Sequence, residues 1–130
     1  MTPAAERRLL QAALCVAVAV PLVTAGIGIV RGAAWLTPGE VPADLDSHFR
    51  YLSGIFLALG IAFASCIPGI ERNGGRFRLL GAMVVAGGLA RLVSALSIGL
   101  PSAGHAAGLV MELGVVPLLM LWQARVARRS

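Results

Sequence analysis

Two charged residues, Arg91 in GGLARLVSAL and Glu112 in VMELGVV, lie inside stretches that are otherwise apolar. An isolated charge deep in a membrane costs about 2.5–3.5 kcal/mol on insertion scales, so each residue needs a partner. Only the turn PSAG separates the two stretches, which predicts neighbouring antiparallel helices. At the helical rise per residue, the two side chains start roughly 13 and 10 Å below the same helix end. We therefore expect Arg91 and Glu112 to form an ion pair.

Further polar side chains are predicted at the same end of the helices. They are His48, Arg50, Ser53, Ser94 and His105. With the ion pair they make a candidate site in the outer half of a membrane. It suits a polar or anionic small molecule, or proton transfer through Glu112, because intramembrane charges are functional by default. The alternatives are a pair that only fixes helix register and an Arg50 that only extends toward lipid headgroups.

Other kinds of site are not indicated by the sequence. It contains no phosphate-binding loop, nucleophile elbow or zinc signature. The two cysteines, Cys15 and Cys66, are widely separated and are interpreted as small packing residues, without a disulfide or a metal. We therefore predict no cofactor and no metal, and favour a protein that is not an enzyme.

The composition defines the elements that must position these residues. The chain has 130 residues, of which 58% are hydrophobic and 13% charged, and its mean hydropathy is +0.84. Soluble domains are about 25% charged. Four apolar spans, at 9–30, 48–67, 79–100 and 105–123, each match the roughly 20 residues that cross a bilayer. These spans predict a single domain over 1–130, an all-α integral membrane four-helix bundle of two antiparallel hairpins.

Charge predicts the orientation of the bundle. All eleven cations are arginines, and eight of them fall on one side if the four spans alternate. The positive-inside rule then places both termini in the cytoplasm, with the chain in a bacterial inner membrane. The positive-inside rule accounts for the net charge of +5, so the charge does not indicate that the protein binds nucleic acid. The expected partner is the lipid bilayer. The sequence leaves open whether the protein also forms a homo-oligomer or joins a larger membrane complex.

Local signals refine the ends and shapes of the helices. Asp46 and Ser47 precede the second span and are the side-chain types that cap helices. Pro21 and Pro117 lie inside the first and fourth spans, where proline is predicted to kink a helix.

Three segments carry a resemblance to a known family: HFRYLSGIFLALG, GGLARLVSALSIGLP and MELGVVPLLMLWQ. They resemble domain-of-unknown-function family 4345, bacterial four-helix membrane proteins. The matching positions are Arg50, Ser53, Gly54, Gly87, Gly88, Arg91, Glu112 and Pro117. The family is also similar to DoxX-like proteins, some of which are associated with membrane redox systems. That likeness implies a quinone or a redox partner by analogy alone, while the family resemblance implies the fold and leaves the activity open.

Overall fold

The computed structural model describes every residue from Met1 to Ser130, and all of its regular elements are helical. The long helices are α1 (Pro3–Arg31), α2 (Ala43–Cys66), α3 (Gly74–Ile98) and α4 (Ala103–Arg129). A short 3-10 turn, Gly32–Trp35, extends α1. The predicted all-α fold with four long helices is confirmed.

All four helices have the length and the surface of membrane spans. Counting the 3-10 turn with α1, they comprise 33, 24, 25 and 27 residues, more than the roughly 20 that a bilayer requires. In the most apolar window of each helix, only 6–22% of the residues are buried within the protein. The remaining surface is therefore largely apolar and uncovered, as expected for helices whose solvent is lipid.

The chain packs as two compact units, and the first comprises Ala12–Ile67. In this unit α1 and α2 approach closely at glycines. A side chain at Gly60 would contact Leu22, and one at Gly28 would collide with Ser53. Contacts therefore pair late residues of α1 with early residues of α2, so the two helices run in opposite directions. Small residues at such crossings let helix backbones approach in lipid.

The second unit comprises Met1–Gln11 and Pro68–Ser130. Here too glycines of α3 lie against α4: Gly81 against Met120, and Gly88 against Glu112. These two contacts also pair residues in opposite order, so α3 and α4 are antiparallel. One end of this unit carries Arg7, Arg72, Arg125 and Arg129, and we call it the arginine-rich end. Its interior is filled by the fully buried side chains of Leu10, Ile70, Phe77, Gln123 and Val126.

Helix α2 begins earlier than the hydropathy pattern predicts. Its first residue is Ala43 and its N-cap residue is Pro42, so the prediction that Asp46 or Ser47 caps the helix is wrong. Asp44 and Asp46 instead occupy the first turn. Acidic residues interact favourably with the positive end of a helix dipole, so this charged segment is helical although it is not apolar.

Candidate functional site

Arg91 and Glu112 form the predicted ion pair within the second unit. The Nε of Arg91 lies 3.0 Å from one carboxylate oxygen of Glu112, and its Nη2 lies 3.1 Å from the other. This two-pronged geometry is the strongest arrangement that arginine and a carboxylate make. The Glu112 side chain is 12% exposed and that of Arg91 is 33% exposed. The Glu112 side chain is therefore largely enclosed, whereas part of the Arg91 side chain is exposed.

A single π-helical turn, Met111–Val115, carries Glu112. The backbone N–H of Val116 donates to the carbonyl of Met111, five residues earlier. Pro117 explains why the helix widens here: proline has no N–H, and its ring would clash with the Leu113 carbonyl in a regular α-helix. The helix nevertheless continues through Pro117 to Arg129. π turns inside α-helices occur frequently at functional sites.

Two glycines lie close to the ion pair. A Cβ added at Gly88 would lie only 2.8 Å from the Cβ of Glu112 and 2.9 Å from the Cδ2 of Leu113. The backbone of α3 therefore lies directly against the π turn. At Gly108, one turn before Glu112, an added Cβ would lie 3.9 Å from both the Arg91 guanidinium carbon and a Glu112 oxygen. Glycine is therefore required at position 88, whereas a methyl group at position 108 would be in ordinary contact with the pair.

Arg50 has a different set of partners, all within the first unit. Its Nε donates to Asp46 across 2.8 Å, and its Nη1 donates to the backbone carbonyls of Ile29 and Val30. The other oxygen of Asp46 accepts the N–H of Ala33 across 2.9 Å. Together Arg50 and Asp46 satisfy backbone groups that the C-terminal end of α1 leaves unpaired. We call these two residues the α1 clamp. A ligand role for Arg50 stays a prediction.

The other candidate side chains make no bond with Arg91 or Glu112. His105 pairs with Ser102 at the start of α4, with 3.3 Å between Nδ1 and Oγ. Ser53 is buried in the first unit opposite Gly28. His48 and Ser94 are exposed. The ion pair is therefore the one part of the predicted cluster whose members meet directly, and the rest of the cluster stays a prediction.

A second charged arrangement, at the arginine-rich end of the second unit, was not predicted. Glu6 is buried and bonds both Arg125, across 2.9 Å, and Arg129. Glu71 bonds Arg7 across 3.5 Å. The signal in the sequence was the scarcity of acids there: Glu6 and Glu71 are the two carboxylates among many arginines.

Four membrane-length apolar helices, two of which share an intramembrane ion pair, define a multi-pass membrane protein. A family model described as Domain of unknown function (DUF4345) matches residues 9–123. The chain belongs to this family, as its motifs predicted. Neither a curated protein nor a solved structure matches it. The likeness to DoxX-like proteins stays a prediction.

Proposed function

We propose that this protein binds a small polar or anionic molecule, or transfers a proton, at the Arg91–Glu112 pair. The observation that carries the proposal is the pair itself, a bidentate arginine–carboxylate bridge inside two apolar helices. Ionisable residues at such positions are expensive and generally serve function.

In this proposal each member of the pair has a separate task. Arg91 uses Nε and Nη2 to hold Glu112, while its Nη1 has no partner within the protein. Because its side chain is one-third exposed, the free side of the guanidinium is available to an anion or a polar group. Glu112 is the member that can accept and release a proton. The pair therefore combines an anion ligand with a proton carrier.

The second candidate function is that of an accessory subunit in a membrane complex. It is supported by the close contact between the π turn and Gly88. An added Cβ there would approach Glu112 to 2.8 Å, closer than real side chains pack. In this reading the ion pair fixes the register of α3 and α4, and the protein acts through its assembly with other chains. The proton-flux measurement below tests proton transfer, which an accessory subunit would not carry out.

We place the protein in a bacterial inner membrane with both termini in the cytoplasm. The arginines near the termini and between α2 and α3 support this orientation. A phosphatase reporter fused after Ser130 should be inactive, and one inserted near Glu40 should be active, because that enzyme works only outside the cytoplasm. An active reporter at Ser130 would reverse the orientation.

Proton transfer is tested by replacing Glu112 with glutamine. Gln has nearly the same shape and can still accept a hydrogen bond from Arg91, but it cannot exchange a proton. In proteoliposomes with an internal pH dye and an imposed pH gradient, wild-type protein should carry a proton flux. Glu112→Gln should reduce that flux to the level of protein-free liposomes.

The matched control is Ser97→Ala. Ser97 is exposed on α3 and its hydroxyl bonds only the backbone of its own helix, at Val93. This variant should keep the wild-type flux. Wild-type flux in a folded Glu112→Gln variant would contradict proton transfer through Glu112. Absence of flux in the wild type would favour anion binding or the accessory role.

A further inference from the structure

A small cleft lies at the arginine-rich end of the second unit, where α1 begins and α4 ends. It is open to the surface, has a volume of about 230 Å³ and is lined by Pro3, Ala4, Arg7, Arg129 and Ser130. Pockets for drug-sized ligands measure about 300–1,000 Å³. The cleft is therefore suited to a group smaller than a drug-sized molecule.

The two arginines of the cleft are held in place from behind by carboxylates. Arg7 bonds Glu71, and Arg129 bonds Glu6, whose side chain is 8% exposed. Both arginine side chains nevertheless remain more than 40% exposed. An arginine fixed in this way loses less conformational entropy when it binds a ligand, and its planar fork matches phosphate oxygens.

The charge around the cleft favours an anion. Glu6 and Glu71 are bonded by four arginines in total, since Arg125 also bonds Glu6 and Arg72 also lies against Glu71. Four arginines against two carboxylates leave a net positive charge at this end of the unit. The first turn of α1 adds the positive end of its helix dipole.

The Arg7–Glu71 bridge leaves one buried polar atom of each residue unpaired. The Nε of Arg7 is buried and makes no hydrogen bond. The Oε2 of Glu71 is buried and unpaired as well, so both atoms belong to the enclosed side of the bridge, and a ligand in the cleft would meet the exposed part of the Arg7 side chain. Phosphate oxygens are suitable acceptors for this guanidinium.

From these features we infer that the cleft binds the phosphate of an anionic phospholipid headgroup. The ends of two membrane-length helices line it, so it lies at the level where headgroups are found. Free phosphate shares the chemistry but not this position. The inference is independent of the Arg91–Glu112 pair, and its test does not require proton flux.

The test is a lipid titration of the purified full-length protein in detergent, followed by native mass spectrometry. Phosphatidylglycerol should bind more tightly than phosphatidylcholine. Arg7→Gln and Arg129→Gln should each weaken phosphatidylglycerol binding by about tenfold or more, because each removes a charged hydrogen bond. Ala4→Leu should also weaken binding, since it fills the cleft without changing any charge.

The matched control is Arg128→Gln, which removes an exposed neighbouring charge that does not line the cleft. It measures general attraction to anionic lipid and should cost about fivefold or less. Equal losses in Arg128→Gln and Arg129→Gln, together with normal binding by Ala4→Leu, would overturn the site. Protection from thermal unfolding by inorganic phosphate as great as that by the lipid would reassign the cleft to free phosphate and overturn the lipid assignment.

Discussion

Replacing Arg91 or Glu112 alone with leucine is expected to lower the free energy of unfolding by about 3–5 kcal/mol. Each change leaves the other charge without a partner between α3 and α4. The bidentate contacts of 3.0 and 3.1 Å would be lost together. Glu112→Leu leaves an unpaired Arg91, whose side chain is one-third exposed and can reorient toward water. Its loss of stability should therefore be smaller than that of Arg91→Leu, which leaves the enclosed Glu112 unpaired. Unfolding in mixed detergent micelles measures both values.

The double variant Arg91→Leu with Glu112→Leu should recover much of this stability, because no lone charge remains. The double-mutant cycle then gives the coupling between the two residues. Strictly additive losses would show that the pair contributes no coupling, contrary to the contacts. A double variant that folds well yet has lost proton flux would assign the pair to proton transfer. A double variant that keeps the flux would exclude that role for the pair.

Gly32→Ala is expected to lower the free energy of unfolding by about 2–5 kcal/mol, the second large effect. Gly32 has a φ of +64°, which costs other residues about 1–2 kcal/mol. An added methyl group would also collide with the side chains of Asp46 and Arg50. Overpacking of this kind costs about 1–3 kcal/mol. The substitution therefore displaces the α1 clamp as well as straining the backbone.

Gly39→Ala is the matched control for Gly32→Ala. Gly39 also has a positive φ, +93°, but an added Cβ would have nothing within 4 Å. We expect a loss of about 1–2 kcal/mol from backbone strain alone. Equal losses at the two positions, measured by the same unfolding experiment, would mean that the α1 clamp moves aside at no cost.

The ion pair was predictable because the chain itself restricts the geometry. A turn of a few residues between two long apolar segments leaves antiparallel neighbours as the simplest arrangement. Counting residues from the turn then places Arg91 and Glu112 at nearly the same depth. Arg91 and Glu112 are also the only deep charges in those segments, so no competing partner had to be weighed.

The α1 clamp was missed because hydropathy gives no sign of a charged first turn. The predicted span began at residue 48 and left Asp46 in the loop, whereas α2 begins at Ala43. Once the segment is read as helix, the four-residue spacing of Asp46 and Arg50 predicts their ion pair. The carbonyls that Arg50 also binds belong to another helix, and no local pattern indicates them.

The π turn was missed for a different reason. Pro117 was recognised, and proline predicts a lost hydrogen bond, but the helix can respond by bending or by widening. Which response occurs depends on the neighbouring helix. Here Gly88 admits Glu112 and Leu113 at close range, and that contact joins residues far apart in the sequence.

The guanidinium of Arg91 has a consequence for the charge states of its site. Arginine keeps its proton at every pH that a cell meets, so only Glu112 can change the charge of the pair. Under the proposed proton transfer, the site would alternate between a neutral bridge and a permanent cation beside a protonated acid. In the second state a mobile anion can replace the carboxylate as counter-ion, so uptake of a proton and uptake of an anion would each favour the other. Such linkage is the physical basis of electroneutral symport, in which the two species cross together without moving net charge.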